Sequence, residues 1–351
     1  MASNHNQSNE TLKNRELSPD SPVLKTLGLW WDTSGDTWLV NKPDFRVKEP
    51  TKRSLLSDLA KVFDPLGLFS ILSIQGKLIL QEVYEGVWKW DGVLPSKIQG
   101  SWSELISRFE LSLSIPVPRW LGTNLNSNEP ISLHCFTDAS DKAIGCVIYL
   151  VQGKTRSFYT AKTKVVPIKQ NHFSVPRKEL TALALGIRLI KFVMKSIQKY
   201  LKPNSVHLWS DSTTALNWSV TKTNIKELFI RARVEHLQPI VQQLDIKLHY
   251  IVSEFNPADY LTKPSEVGPH HPLWTQGPDI LNHPERWIEF TKAIGSKDTI
   301  PVFQGALTTQ PTNQDSAEEH QYEVSNYKNI SQLYKETAQR KFNDSSSLRR
   351  A

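Results

Sequence analysis

The alternation of apolar and polar positions after Pro130 predicts a mixed α/β domain. Three short runs rich in β-branched and aromatic residues follow one another and predict successive strands: "ISLHCFTD", "AIGCVIYLV" and "RSFYTAKT". The next run, "RKELTALALGIRLIKFVMKSIQKYL", is apolar at every third or fourth position, which is typical of an amphipathic helix. The remaining runs complete the order β-β-β-α-β-α-α-β-α, with a kink or break expected at Pro239, and this order predicts strands and helices in one α/β domain.

Residues 23–120 have a different pattern. Two aromatic and β-branched runs flank the turn signal Ser34-Gly35-Asp36 and predict a β-hairpin over residues 23–48. Apolar residues then recur at helical spacing until Pro65-Leu66-Gly67 interrupts them. Two more helices are predicted at about residues 71–88 and 98–113. This part of the chain is therefore predicted to be a hairpin followed by a helical module.

Composition adds the polar ends of the chain. Hydrophobic residues make up 39% of the sequence, which is low for one compact globule and indicates structured parts diluted by polar tails. Residues 1–22 and 296–351 are predicted to be mostly disordered. The first 22 residues contain no apolar run that would make a secretory signal, and no stretch is long and apolar enough to span a membrane. These features predict a soluble, intracellular protein.

Charge and cysteine content narrow the expected partners. The formal net charge of +7 suits a polyanionic partner, although charge bears on association and not on fold. The two cysteines, Cys135 and Cys146, lie in apolar strand-like runs. They are predicted to be core thiols, because two cysteines in this setting suit neither a disulfide nor a zinc site.

Four acidic residues stand at the ends of predicted elements. Asp138 ends the first strand of the α/β domain, and Asp211 directly follows the strand "VHLWS". Glu179 is expected in the first turn of the long helix. Asp259 comes three residues after Asn256 in "NPAD", where Asn before Pro predicts the start of a helix.

These acidic residues have two interpretations. Any one of them, taken alone, is explained as a turn former, a helix cap or a favourable charge near a helix N-terminus. Taken together, strand and helix ends on one side of a sheet can bring their carboxylates into a cluster that only a divalent cation would neutralise. Oxygen ligands suit Mg²⁺ or Mn²⁺, and two ions about 3.5–4 Å apart would support phosphodiester hydrolysis.

The motifs that carry these acids resemble known sequences. In order, "FTDAS", "PRKEL", "WSDS" and "NPAD" resemble the Asp-Glu-Asp-Asp set of ribonuclease H. Together with "TKRSLLSDLAKVFDPLGLFS" and "LWTQGPDIL", they make residues 23–285 similar to the polyproteins of BEL/Pao-type retrotransposons. Each motif alone is weak evidence, whereas all of them in order are strong evidence.

The resemblance implies a fold and a function. Residues 23–120 would be the end of a reverse transcriptase, with a palm remnant and thumb-like helices. Residues 128–265 would be a ribonuclease H-like mixed five-stranded sheet with flanking helices, and 266–295 a family-typical extension. The domain would cut the RNA strand of an RNA–DNA hybrid in the cytoplasm, the nucleus or both. The resemblance carries over the metal-ligand role to four residues: Asp138, Glu179, Asp211 and Asp259.

Two expected features of the family are missing from the sequence. The polymerase site of such polyproteins has a Tyr-x-Asp-Asp turn, and this sequence has no Asp-Asp pair. The zinc motif of two His and two Cys that marks an integrase is also missing. The chain is therefore expected to be a fragment of the polyprotein pattern without polymerase activity.

A histidine near the last predicted strand raises a further question. Related nucleases have a His at a position that aligns with Tyr250 in "IKLHYIVS", where it is thought to aid product release. His249 lies one residue earlier, so its ring would point to the opposite face of the strand. Both an auxiliary role and a purely structural role remain open for His249.

A basic stretch indicates where nucleic acid would bind. The segment from Lys154 to Lys202 is rich in Lys and Arg and contains one acidic residue, Glu179. Ordinary solvated faces mix both signs, and this imbalance favours contact with phosphates over a face without a partner. The residues predicted to contact nucleic acid are Ser140, Lys178, Lys191, Lys195 and Lys199.

The sequence is compatible with three functions. The first is a metal-dependent ribonuclease H-type endonuclease. The second is a non-catalytic nucleic-acid-binding remnant of a retroelement, for which the missing polymerase site is the motive. The third is an interaction scaffold that does not bind nucleic acid. Hybrid cleavage, salt-sensitive binding without turnover, and no measurable hybrid affinity would distinguish them.

Overall fold

The computed structural model describes ten ranges and single residues of the chain: 23–26, 29–39, 43, 45, 50–113, 117–119, 121–124, 127–221, 225–263 and 265–287. The disorder predicted for residues 1–22 and 296–351 lies outside these ranges. None of the helices within them has the length and apolar character needed to cross a lipid bilayer.

The first strands form a small antiparallel sheet. Its strands, in spatial order, are β1 (Val23–Thr26), β2 (Leu29–Asp32), β3 (Thr37–Leu39) and β4 (Val117–Pro118). The pairing of β2 with β3 confirms the predicted hairpin. The sequence predicts one strand over residues 23–32, but the structure divides it into two, because the chain reverses between Thr26 and Leu29, which are paired.

Three helices follow this hairpin: α1 (Lys52–Lys61), α2 (Ser70–Glu85) and α3 (Ser96–Leu113). Thr51 caps α1 and forms a reciprocal capping box with Ser54. In the turn before α2, Gly67 has φ of 80°, and a Cβ atom there would lie 2.1 Å from the carbonyl oxygen of Ala161. Only glycine fits this approach, so the turn packs tightly against the strand that carries Ala161.

The larger sheet is mixed and five-stranded. Its strands are β5 (Ile131–Ala139), β6 (Ala143–Gln152), β7 (Thr155–Val165), β8 (Ser205–Ser210) and β9 (Ile246–Tyr250). They lie in the order β7-β6-β5-β8-β9. The first three pair antiparallel, whereas β8 runs parallel to both β5 and β9. This topology confirms the α/β fold class and the predicted mixed sheet.

Helices cover one face of the larger sheet. They are α4 (Val175–Ile197), α5 (Thr213–Val220) and α6 (Leu228–Gln243). The predicted apolar stripe of α4 is buried against this face, with Leu180, Leu183 and Ile187 fully inaccessible to solvent. Of the kink or break predicted at Pro239, the break is absent: α6 continues through this residue, which lies on the exposed side of the helix.

The helical module covers the opposite face. Phe136, Val147 and Trp209 of the sheet share one hydrophobic core with residues of α1, α2 and α3. Trp274, in the short helix α7 (Pro272–Thr275), is buried in the same core and donates a hydrogen bond from its indole nitrogen to the Leu68 carbonyl oxygen at 2.8 Å. The predicted boundary at residue 128 therefore separates two parts of the chain that share a core. Single turns of 3₁₀-helix complete the described chain: Ile168–Gln170, Ser253–Phe255, Pro257–Leu261, Asp279–Asn282 and Pro284–Arg286.

Candidate metal centre

Asp138 lies at the end of β5, where the strand reaches the edge of the core. Its side chain is buried, with 1% relative exposure. The hydroxyl of Thr262 donates a hydrogen bond to its carboxylate oxygen Oδ2. The end of β5 thus holds a carboxylate that protein atoms enclose almost completely.

Asp211 is brought beside Asp138 by strand register. Strands β5 and β8 are parallel neighbours, and Thr137 pairs with Ser210. The residues that follow these two along the chain, Asp138 and Asp211, therefore meet at the same edge of the sheet. The hydroxyl of Ser253 donates a hydrogen bond to Oδ2 of Asp211.

Glu179 reaches the same edge from helix α4. The sequence predicts it in the first turn, but the helix begins at Val175 after Ser174, so Glu179 belongs to the second turn. The backbone N–H of Ala139 donates to its Oε1 at 3.2 Å, which ties the helix to the end of β5. Its other oxygen, Oε2, is buried and has no hydrogen-bond partner.

Asp259 lies in the 3₁₀ turn Pro257–Leu261, as the Asn-Pro signal predicts. Asn256 caps this turn by accepting from the Ala258 N–H, and its amide donates to the Thr137 carbonyl oxygen at 3.1 Å. The Lys263 ammonium lies 2.7 Å from Oδ2 of Asp259. Oδ1 of Asp259 is buried without a hydrogen-bond partner.

Three of the four predicted acids converge. Asp138, Glu179 and Asp211, called the carboxylate cluster below, each offer an oxygen, and these oxygens lie within 4.8 Å of one another. Asp259 is not in this group, although its charge acts on Asp138 and Asp211. The structure therefore assembles a three-carboxylate group and places the fourth acid beside it.

The electrostatics of the cluster favour neutralisation. Burial, together with the charge of Asp259, raises the pKa of Asp138 to about 8. Burial and the charges of Asp138 and Asp211 raise the pKa of Glu179 to about 9. Burial also raises the pKa of Asp211. Like charges in a desolvated site repel one another, so ionising all three acids is costly without a cation.

The donor set fits a hard divalent cation. All of the converging ligand atoms are carboxylate oxygens, which Mg²⁺ and Mn²⁺ prefer. The buried oxygens of Glu179 and Asp259 that lack protein partners are acceptors that an ion would satisfy. The residues present therefore fit such an ion, and the resident ions would be held by the carboxylate cluster with Asp259.

The residues predicted to contact nucleic acid fall into two groups. Lys191 and Lys195 are exposed on α4, and Lys199 is exposed just beyond its C-terminal end. By contrast, Ser140 donates its hydroxyl hydrogen to the Thr262 carbonyl oxygen at 2.8 Å, so it supports the site.

Lys178 does not lie on the surface. Its side chain is 3% exposed, and its ammonium contacts the carboxylate of Asp141 at 3.1 Å and the backbone carbonyl oxygens of Asp141 and Asn171. This arrangement corrects the expectation of a surface phosphate contact, because helix α4 turns the residue beside Glu179 into the protein.

His249 is not part of the carboxylate cluster. It belongs to a second group, the histidine cluster, in which every member but the half-buried Trp287 is buried: His134, His207, His249, Trp209 and Trp287. His207 Nδ1 lies 2.9 Å from His249 Nε2, and the ring of His249 stacks on Trp209 at 4.3 Å. Burial lowers the pKa of His249 to about 3. These contacts favour the structural role over the auxiliary one.

Three supporting residues escaped the sequence prediction. Ser253 and Thr262 donate to the carboxylates of Asp211 and Asp138, and Lys263 pairs with Asp259. Thr262 and Lys263 stand in "NPADYLTK", where the spacing of four between Asp259 and Lys263 is a signal for such a pair. Ser253 carries no comparable signal in the sequence.

A family model confirms the resemblance for the part of the chain that contains three of the four acidic motifs. Residues 51–212 match the model described as "Pao retrotransposon-like RNaseH-like domain". The match begins at the capping residue of α1 and extends through Asp211, so it includes both the helical module and most of the larger sheet. No curated relative matches the chain.

Solved structures are similar only in part. The foamy viral protease-reverse transcriptase dRH in complex with double-stranded DNA is 15% identical, with a TM-score of 0.40, covering 66% of this chain and 38% of its own. The same viral protein with an RNA/DNA hybrid is 15% identical, with a TM-score of 0.39, covering 70% and 30%. RNase H1 from Halobacterium salinarum NRC-1 is 12% identical, with a TM-score of 0.28, covering 36% and 90%. The chain spans less than half the length of these viral proteins.

Proposed function

We propose that this chain, whose residues 51–212 match the Pao retrotransposon-like RNaseH-like family, is a ribonuclease H-type endonuclease. Its substrate would be the RNA strand of an RNA–DNA hybrid, and Mg²⁺ or Mn²⁺ would be its cofactor, as two ions. Asp138, Glu179, Asp211 and Asp259 would be the metal ligands. The place of action would be intracellular, in the cytoplasm, the nucleus or both.

One observation carries the proposal. Three carboxylates from two strand ends and a helix bring oxygens within 4.8 Å of one another, and one of these acids has a buried oxygen without a partner. A turn former or helix cap would spend its oxygens on backbone N–H groups. A group that is costly to ionise and incompletely hydrogen-bonded is instead typical of a site completed by a ligand.

The chain's own residues orient the ligands. Divalent ions bound by carboxylates would neutralise phosphate charge and lower the pKa of an attacking water. Thr262 and Ser253 fix the carboxylates of Asp138 and Asp211 through hydrogen bonds, and the Ala139 N–H fixes Glu179. Exposed Lys191 and Lys195 would contact phosphates along the hybrid, without reading its sequence.

The test is cleavage of a labelled RNA–DNA hybrid by the full chain in the presence of Mg²⁺. We expect the wild-type protein to cut the RNA strand and Asp138→Asn to lose cleavage. Asp245→Asn is the matched control, because Asp245 is exposed, has φ of 45° and lies outside the site. Asn tolerates that conformation, so this variant should cut like the wild type.

The other outcomes separate the competing functions. Equal inactivity of the wild type and Asp138→Asn would remove the enzymatic function. Salt-sensitive hybrid binding without turnover would then favour the non-catalytic remnant. Failure to bind the hybrid at low salt would favour the scaffold.

A further inference from the structure

Lys263 places a cation next to the carboxylates. Its ammonium lies 2.7 Å from Oδ2 of Asp259, on side chains that are 52% and 21% exposed. Burial alone would lower the pKa of Lys263, but the hydrogen bond to Asp259 and the charges of Asp138, Asp259 and Asp211 together raise it. The ammonium therefore acts electrostatically on three of the four proposed metal ligands.

The backbone around Lys263 holds this position. The Lys263 N–H donates to the Asp259 carbonyl oxygen at 3.0 Å, closing the turn between the two residues. The preceding residue, Thr262, is buried, accepts from the Ser140 hydroxyl and donates to Asp138. Lys263 thus extends from a turn that is anchored to the site itself, unlike an ordinary surface lysine.

The two oxygens of Asp259 have different surroundings. Oδ2 is paired with Lys263, whereas Oδ1 is buried without a partner. Asp259 also falls outside the three acids whose oxygens converge within 4.8 Å. An ion bound at Oδ1 of Asp259 would therefore share this carboxylate with the Lys263 ammonium on Oδ2.

We propose that Lys263 is a resident counter-cation that competes with the second divalent ion for Asp259. This inference rests on the proposed nuclease function. In the protein without nucleic acid, the carboxylate cluster would bind a first ion, and the Lys263–Asp259 pair would weaken binding of the second. A substrate phosphate would offer the ammonium another anion, which would release Asp259 and couple second-ion binding to substrate binding.

The experiment is a titration of the full chain with Mn²⁺, in which electron paramagnetic resonance measures the free ion. For wild-type protein without nucleic acid, we expect one tighter and one weaker ion. Lys263→Met keeps an apolar chain of similar length without the charge, and it should bind the second ion about fivefold more tightly, the range of an exposed ion pair. Its first ion should bind as in the wild type, and Lys263→Arg should titrate like the wild type.

A matched control separates pairing from general charge. Lys142 is exposed in the turn between β5 and β6, and its side chain contacts none of the four acids through a hydrogen bond or ion pair. Lys142→Met should leave both affinities unchanged. The inference would be overturned if Lys263→Met bound the second ion with the same affinity as the wild type. It would also be overturned if Lys142→Met increased that affinity as much as Lys263→Met does.

Substrate gives the second arm of the experiment. A hybrid with a non-cleavable RNA strand should tighten the second ion in the wild type and have little further effect in Lys263→Met. If wild-type protein binds Mn²⁺ and cuts the hybrid while Lys263→Met titrates identically, only the role of Lys263 fails. If wild-type protein binds no Mn²⁺, the proposed nuclease function fails with it.

Discussion

Two neighbouring strands each bring a histidine and an aspartate to the site region, and the two residue types end in different surroundings. His134 precedes Asp138 on β5 by four residues, and His207 on β8 precedes Asp211, which directly follows that strand, by four residues. Because side chains alternate along a strand, His134 and Asp138 point to the same face, with their Cα atoms about 13 Å apart. The same sheet face therefore holds the histidine cluster along the strands and Asp138 at the end of β5, where Glu179 joins it from α4 on the other face.

Burial affects both clusters, but their partners differ. It raises the pKa of Asp138 to about 8 and lowers the pKa of His207 to about 4, so each group is pushed toward its neutral form. Within the histidine cluster, His134 and His207 have a hydrogen-bond partner on each ring nitrogen. Glu179, in contrast, keeps a buried oxygen without one. In the histidine cluster Nδ1 of His249 is the ring nitrogen left buried without a hydrogen-bond partner, whereas the carboxylates combine such atoms with mutual repulsion and need a ligand from outside.

Neutralising one acid is the strongest test of the difference between the two clusters. Glu179→Gln should reduce hybrid cleavage by roughly a thousandfold or more, because a ligand that acts with the others is lost. Its thermal stability should be unchanged near pH 7, where the raised pKa of about 9 keeps Glu179 protonated, and higher above pH 9, where a buried repulsive charge is removed. Single-turnover cleavage and thermal unfolding of the same preparation measure both effects.

The matched change in the other cluster is His249→Phe. It should keep most of the cleavage rate at temperatures where the protein is folded. A loss of cleavage comparable to that of Glu179→Gln, in folded protein, would show that the histidine cluster takes part in catalysis and would contradict the contrast.

Trp209→Ala should have the largest effect on stability. The Trp209 side chain is fully buried between Phe136 and His249, and its indole nitrogen donates to His134 at 3.1 Å. Truncating a buried Trp costs about 3–5 kcal/mol of unfolding free energy. Trp88, which is 42% exposed, offers the control. Denaturant unfolding should give a much smaller loss for Trp88→Ala, and equal losses would refute the packing role of Trp209.

Metal addition should stabilise the carboxylate end in a pH-dependent way. Because the pKa values of Asp138 and Glu179 are raised, the protonated acids stabilise the fold fully at a pH below their ordinary pKa values. This contribution to the free energy of unfolding falls as pH rises and is lost once pH passes about 8 to 9. At about 100 times its dissociation constant, Mg²⁺ should restore about 3 kcal/mol of unfolding free energy. Because protons compete with the ion, the gain in melting temperature should be larger at pH 9 than at pH 6. Asp138→Asn should remove most of it, and a gain independent of pH would contradict the assignment.

The histidine end should respond to acid with the opposite sign. Burial lowers the pKa of His207 to about 4 and of His249 to about 3, so their contribution is complete above pH 6.5 and is lost as pH falls toward those values. Each such histidine can cost about 2 kcal/mol between pH 6.5 and 5. His249→Phe should therefore show a flatter decline than the wild type in unfolding experiments over this range. Parallel declines would mean that His249 is not buried in its neutral form.

The local pattern was enough to predict the order of elements and the position of Asp138, Asp211 and Asp259. Strand alternation and the Asn-Pro signal are local features, and each of these acids ends or follows such a feature. Lys178 shows the limit of this reasoning. The basic stretch that contains Lys178 predicts an exposed patch, yet the orientation of α4 buries this lysine against Asp141.

Features that depend on register or distant contacts could not be predicted. His134 and His207 are 73 residues apart and stack at 4.6 Å only because β5 pairs with β8 in one particular register. The packing of α1, α2 and α3 on the second face of the sheet depends in the same way on contacts between remote segments. No periodicity within a short window contains this information.

The hydrogen bond from Trp274 to Leu68 has a consequence for biosynthesis. It joins residues 206 positions apart, across a core to which α1–α3, the sheet and α7 all contribute. A growing chain cannot close this core until residue 274 has left the ribosome, and contacts of such long range slow folding. Until then, the part of this core that Trp274 fills stays open even though α1–α3 are already synthesised, and exposed apolar surface of this kind is what chaperones bind.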